Sequence, residues 1–84
     1  MTLTEFLLAR IAEDEAEANA TIAKGRGASY PLHVRARRVL AECEAKRQIV
    51  ADATEVPTIS MRHVLRVLAL PYADHPDYDE TWRP

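Results

Sequence analysis

The residues with the most chemical potential in this 84-residue chain are one thiol, three imidazoles and a run of carboxylates. Cys43 with His33, His63 or His75 would supply a cysteine nucleophile and its base, or the ligands of a metal ion. The spacing argues against both: no His or Cys pair stands at i, i+4, and there is no Cys-x-x-Cys. Asp74 and His75 beside Asp77 form the one local cluster. Helix capping explains it better, with Asp74 ahead of a turn that has Pro76 and Asp77 in its first positions. A lone cysteine on an apolar helix face packs as a small hydrophobe, and burial keeps its thiol unreactive. Glu13, Asp14, Glu15 and Glu17 offer paired carboxylates, but such a run is the solvated face of a helix set against basic neighbours. Gly25 and Gly27 flank Arg26, yet no Gly-Lys-Ser/Thr follows, so the phosphate-cradling pattern is missing. No nucleophile, base and orienting group come together. The residues therefore assign no catalytic function, no cofactor and no metal, and the chain reads as a non-enzyme.

The elements that carry these residues are helical. Pro31 to Asp52 is the central one, with no glycine and no further proline. Proline suits a first helical turn, with Ser29 or Tyr30 ahead of it. Leu32, Ala36, Val39, Leu40, Cys43 and Val50 recur at helical spacing, flanked by Ala41, Ala45 and Ile49. Lys46 and Arg47 interrupt this seam, which places an aliphatic stem over the core edge with its charge in water. Glu42 and Lys46 are spaced as an i, i+4 ion pair. Helix 1 is expected from about 3 to 24. Thr2 and Glu5 spell a capping box, and Thr4 is a competing cap. The stripe Leu7, Ile11, Ala18 and Ile22 runs its length, and Gly25 suits the position after its end. Helix 2 is expected at about 31–53. Residues 54 to 59 read as a break, because Pro57 biases Val56 away from helix. Helix 3 is expected at about 61–70, capped by Ser60, with Met61, Val64, Leu65 and Leu68 inward. A last turn is expected at about 75–82.

Charge is distributed unevenly around a net −2. Residues 1–23 hold five acids and one base, net −4, and residues 24–47 hold seven bases and two acids, net +5. Residues 48–69 balance, and residues 70–84 hold four acids and one base, net −3. The acidic helix 1 and basic helix 2 suit neighbours that attract one another more than a surface kept for nucleic acid. Arg35, Arg37, Arg38, Arg62 and Arg66 are the residues a nucleic-acid reading would use. That reading is the alternative, because long helices do not match the short helices and tight turn of a helix-turn-helix. Tyr72, Tyr78 and Trp82 crowd the last fifteen residues, more aromatic character than a disordered tail keeps. They either dock on the hairpin as core or form a partner-binding patch.

Three blocks, EFLLARIAEDEAEA, RVLAECEAKRQIV and VLRVLALPYADHPDYDETWRP, resemble a family of short proteins of unknown function. It is found in streptomycetes, related actinobacteria and their phages or mobile elements. The blocks cover most of the chain, and Leu68 to Pro84 is the most specific part. Family members typically carry a longer, variable segment between the first two blocks, often with an extra tryptophan, where this chain has its short glycine-containing link. The resemblance implies a cytoplasmic actinobacterial protein and a C-terminal segment that belongs to the domain. It implies no activity, cofactor or catalytic residue.

The chain is thus expected to be all-α, one domain over 1–84: a long antiparallel hairpin, a short third helix and a C-terminal helical turn docked by Tyr78 and Trp82. The start is too acidic and too briefly apolar for a signal peptide, and no run approaches a membrane span. One hairpin face would be poorly covered, so a homodimer is expected. Function reduces to two classes, a protein-interaction or adaptor module and a small DNA-binding regulator.

Overall fold

A computed structural model describes residues 1–84. Three helices form the chain: α1, Leu3–Ala23; α2, Tyr30–Glu55; and α3, Ile59–Ala69. Single 3-10 turns follow α1 at Gly25–Gly27, follow α3 at Leu70–Tyr72, and close the tail at Glu80–Trp82. There are no strands. The fold is an all-α antiparallel hairpin of α1 and α2, with α3 and the tail packed on one end.

Local chemistry explains the ends. The Thr2 hydroxyl accepts the Glu5 N–H at 3.1 Å, and Glu5 accepts the Thr2 N–H at 2.8 Å, completing the capping box. After Ala23 the chain reverses through Gly25, whose φ of +54° is a left-handed conformation that side chains with a Cβ resist. Ser29 Oγ then accepts the Leu32 N–H, with Pro31 in the first turn of α2.

Two boundaries differ from the sequence reading. α2 runs on to Glu55, because the Asp52 carbonyl still takes the Val56 N–H. The chain leaves the helical region at Val56, directly before Pro57, and is extended at Thr58. α3 starts earlier than expected, at Ile59, because Thr58 and not Ser60 is its cap. The Thr58 hydroxyl accepts the Met61 N–H at 3.1 Å. The tail is also less helical than expected. Asp79, not Asp74, caps it, taking the Thr81 N–H at 2.9 Å, and only Glu80–Trp82 winds into a helical turn. Around residues 75–78 the His75 ring does the local work: its Nδ1 accepts the Asp77 N–H at 3.0 Å.

The core is concentrated where α1 begins. Phe6, Leu7 and Ile11 are fully buried, joined by Cys43, Val50 and Ala53 from α2, Leu65 and Ala69 from α3, and Tyr78 from the tail. Leu8, next to them on α1, faces outward. Beyond Ile11 the buried positions shrink to Ala18 on α1 and Ala36 on α2. The molecule measures 46 × 26 × 17 Å. Its thinnest dimension holds fewer than two helix diameters of about 10–12 Å each. The hairpin therefore has a thick end, closed by α3 and the tail, and a thin end of two helices alone.

Replacing Phe6 by Ala should cost about 3–5 kcal/mol, the range for deleting a buried phenylalanine. In a domain of this size that is most of the folding free energy, and thermal denaturation by far-UV circular dichroism would register it. Tyr78→Phe is the contrasting case. The Tyr78 hydroxyl is buried with no protein partner, so its removal should leave the melting temperature unchanged or raised. A large loss would mean that this hydroxyl is satisfied after all.

Candidate functional site

The three aromatics singled out in the tail meet on one residue of α1. The Phe6 ring has Trp82 at 5.1 Å, Tyr78 at 5.9 Å and Tyr72 at 6.4 Å, centroid to centroid, with His75 at 5.7 Å. Tyr78 and Trp82 also meet each other edge to face at 5.7 Å. Such tilted and T-shaped contacts suit the ring quadrupole. Tyr78 is buried, while Tyr72 and Trp82 are half-buried. The surface these rings leave accessible comes chiefly from Tyr72 and Trp82.

Tyr72 also closes a polar bridge across the hairpin. Its hydroxyl donates to Asp14 Oδ2 of α1 at 2.8 Å and accepts from Lys46 Nζ of α2 at 2.9 Å. The Lys46 ammonium lies 5.1 Å from the Tyr72 ring centre. Lys46 is thus committed to Tyr72 and not to Glu42, the partner its spacing suggested, and its ammonium is half-buried and not free in water. Burial pushes the Tyr72 hydroxyl above its ordinary value, and the Asp14 bond adds to this against the opposing pull of Lys46. For Lys46 burial acts to lower the value, but the Tyr72 bond and the nearby acids raise it overall. Burial likewise pushes the Cys43 thiol up, and its Sγ lies 3.8 Å from the Ile11 carbonyl.

Arg10, which sequence reasoning passed over, anchors the tail from the other side. It is only 7% exposed. Its guanidinium lies 5.1 Å from the Phe6 ring centre, bonds Glu13 at 2.9 Å and comes within 3.9 Å of Asp77. One terminal nitrogen lies against both ring nitrogens of His75, 2.7 Å from Nδ1. The signal was available: Arg10 stands four residues after Phe6 and three after Leu7, on the buried face of α1.

The five arginines of the nucleic-acid reading fall into two groups. Arg35, Arg37 and Arg38 are exposed on the first turns of α2, on the thin end. Arg62 and Arg66 sit on α3, which packs beside Ala53. Along α2 the two groups are about 24 Å apart, at 1.5 Å per residue. None of the five forms an ion pair with the protein. The only ion pair joining α1 and α2 is Glu15 with Arg47, 3.0 Å at Nε. On the thin end, α1 and α2 leave an open groove of about 350 Å³. Leu32, Ala36 and Val39 line it from α2, with Ala18 from α1. Asp14 and Lys46, the pair bridged by Tyr72, mark its inner end. His33, His63, His75 and Cys43 are dispersed, and no three His, Cys, Asp or Glu side chains gather as a metal site.

The bridge sets a pH window. Tyr72 and Lys46 both hold their protons more tightly folded than unfolded. Their contribution is therefore complete below about pH 10 and is lost as pH rises through the folded values. Glu5, Glu15, Asp79 and Glu80 are shifted below their ordinary values, by the Thr2, Arg47, Thr81 and Arg83 bonds respectively. Their contribution is present above about pH 4.5 and fades as pH falls. Melting temperature should be flat from about pH 5 to 9 and fall on both sides. Tyr72→Phe should cost about 1–3 kcal/mol at neutral pH and make the alkaline fall shallower. An unchanged alkaline limb in that variant would remove Tyr72 from the account.

No helix is long and apolar enough to cross a membrane. The chain has no match among curated proteins and none among solved structures. The sequence model of one family covers residues 1–84, the same span that the hairpin, α3 and the docked tail occupy. The chain belongs to that family, a family of unknown function (DUF6221).

Proposed function

We propose that this chain is a non-enzymatic protein-interaction or adaptor module that self-associates through the thin end of its hairpin. The observation that carries this reading is the uncovered groove between α1 and α2. Leu32, Arg35, Ala36 and Val39 on α2 and Asp14, Glu17, Ala18 and Thr21 on α1 line it at the i, i+3, i+4, i+7 spacing of a packing face. Two helices meeting along such stripes are half of a four-helix arrangement. Leu32 is 47% exposed and Tyr30 81% exposed at this end. A second copy laid antiparallel across the groove would bring Asp14 and Glu17 towards Arg35, so the charges favour a two-fold pair. The accessible edges of Tyr72 and Trp82 are the outer surface through which such a dimer would meet another protein. The resemblance of the three sequence blocks extends this reading to the cytoplasm of an actinobacterium, or to a phage or mobile element of one.

The ionisation of the chemically capable groups supports a non-enzymatic role. Activated lysines and cysteines have lowered values, whereas Lys46, Tyr72 and Cys43 are all shifted upwards. The runner-up, a DNA-binding regulator, draws on the five arginines without ion-pair partners. Its weakness is that Arg35, Arg37 and Arg38 are separated from Arg62 and Arg66 along the hairpin.

Light scattering coupled to gel filtration should give a dimer mass, and Leu32→Glu should give a monomer of unchanged helicity. A wild-type monomer at every concentration would contradict self-association. DNA binding at low salt that weakens with added salt, and is lost when the arginines are replaced, would favour the runner-up.

A further inference from the structure

A second concavity lies at the thick end, between the α2–α3 turn and the first turn of α1. Its volume is about 480 Å³, in the range of small-molecule sites. Leu3, Pro57, Leu65 and the Trp82 ring supply apolar wall, and the only charged residues lining it are Arg62 and Arg66, one turn apart on α3. No carboxylate lines it. The thin-end groove is different, since Asp14, Glu17 and Glu42 there offset Arg35 and Lys46. In a chain of net −2, a recess lined by two arginines and no acid is a local exception. Arg66 is half-buried, and neither arginine has an ion-pair partner in the protein.

Guanidinium groups present donors in a planar fork that matches carboxylate and phosphate. Two of them beside an aromatic ring and aliphatic walls suit a ligand with a charged head and an apolar body. We propose that this recess binds a small amphiphilic anion. Its single carboxylate or phosphate head is held by Arg62 and Arg66, and its aliphatic or aromatic body lies against Trp82 and Leu65. Duplex DNA is a poorer occupant, because the recess has cations for one anionic group and walls for an apolar one. The proposal does not depend on self-association, which uses the other end of the hairpin.

Trp82 is the sole tryptophan, so its fluorescence reports on the recess directly. The titration uses the intact chain with decanoate and decyl phosphate below their micellar concentrations, and with decanol and inorganic phosphate as single-feature probes. At least one of the two anionic amphiphiles should give a saturable change, with decanol and inorganic phosphate each at least about tenfold weaker. The Arg62→Gln/Arg66→Gln variant should bind that amphiphile at least about tenfold more weakly, and Lys24→Gln/Arg26→Gln, at two exposed cations that line neither concavity, should bind it as the wild type does. Absence of a saturable change with both amphiphiles would overturn the proposal. So would decanol binding as tightly as decanoate, inorganic phosphate binding as tightly as decyl phosphate, or undiminished binding by an Arg62/Arg66 variant with native helicity. The decanoate–decanol comparison needs no variant, so the charge requirement is tested even if the double substitution prevents folding.

Discussion

The structure depends on one buried ring. Phe6 is the sole phenylalanine, and the tail reaches back over it with Tyr72, His75, Tyr78 and Trp82. A helix of this kind gains most of its stability from burying an apolar face, not from its own propensity. α1 and α2 alone would leave Phe6 and Leu7 against water on one side. α3 supplies Leu65 and Ala69 to that end, and the tail supplies the rings. Arg10 and Tyr72 then fasten the tail at two polar points, one on α1 and one spanning α1 and α2. The C-terminal residues are thus part of the core of the thick end.

That concentration of large side chains leaves the thin end short of them. Ala18 and Ala36 let α1 and α2 approach closely but bury little area. A domain this small has little surface to spare, so a groove left open at the thin end, with Leu32 exposed in it, is an unusual allocation. The two ends also differ electrostatically. The thin-end groove mixes acids and bases, which suits a copy of itself. The recess at the thick end is cationic, which suits a smaller anionic occupant. A single hairpin with its covering elements gathered at one end therefore carries two surfaces of different chemistry.

What could be read from the sequence was local or periodic. The Thr2–Glu5 capping box and the reversal at Gly25 depend on neighbours within a few residues, and both appear as the residues specify. The stripe through Leu7, Ile11 and Ala18 and the buried Ala36, Cys43 and Val50 of α2 follow from period, whereas Leu32, Ala41 and Ala45, expected on or beside that face, are exposed because no element covers them. Thr58 was overlooked as a cap because Ser60 offers the same chemistry two residues later. Only the backbone path out of Pro57 decides between them. The Asp14–Tyr72–Lys46 bridge joins residues up to 58 apart, and no short-range pattern encodes such a meeting. Lys46 did announce itself as an interruption of the apolar seam, and Arg10 sits where an apolar residue belongs. A charge out of phase on a buried face was the sign that a distant polar partner would be found.

The central claim is that the tail and the hairpin are one cooperative unit joined at Phe6. Thermal unfolding followed on one sample by Trp82 fluorescence and by far-UV circular dichroism tests it most directly, because one signal reports the tail and the other the helices. Coincident transitions with the same midpoint are the predicted result. A Trp82 transition complete well before the helices melt would contradict the account, leaving the hairpin folded without its tail and Phe6 without its central role.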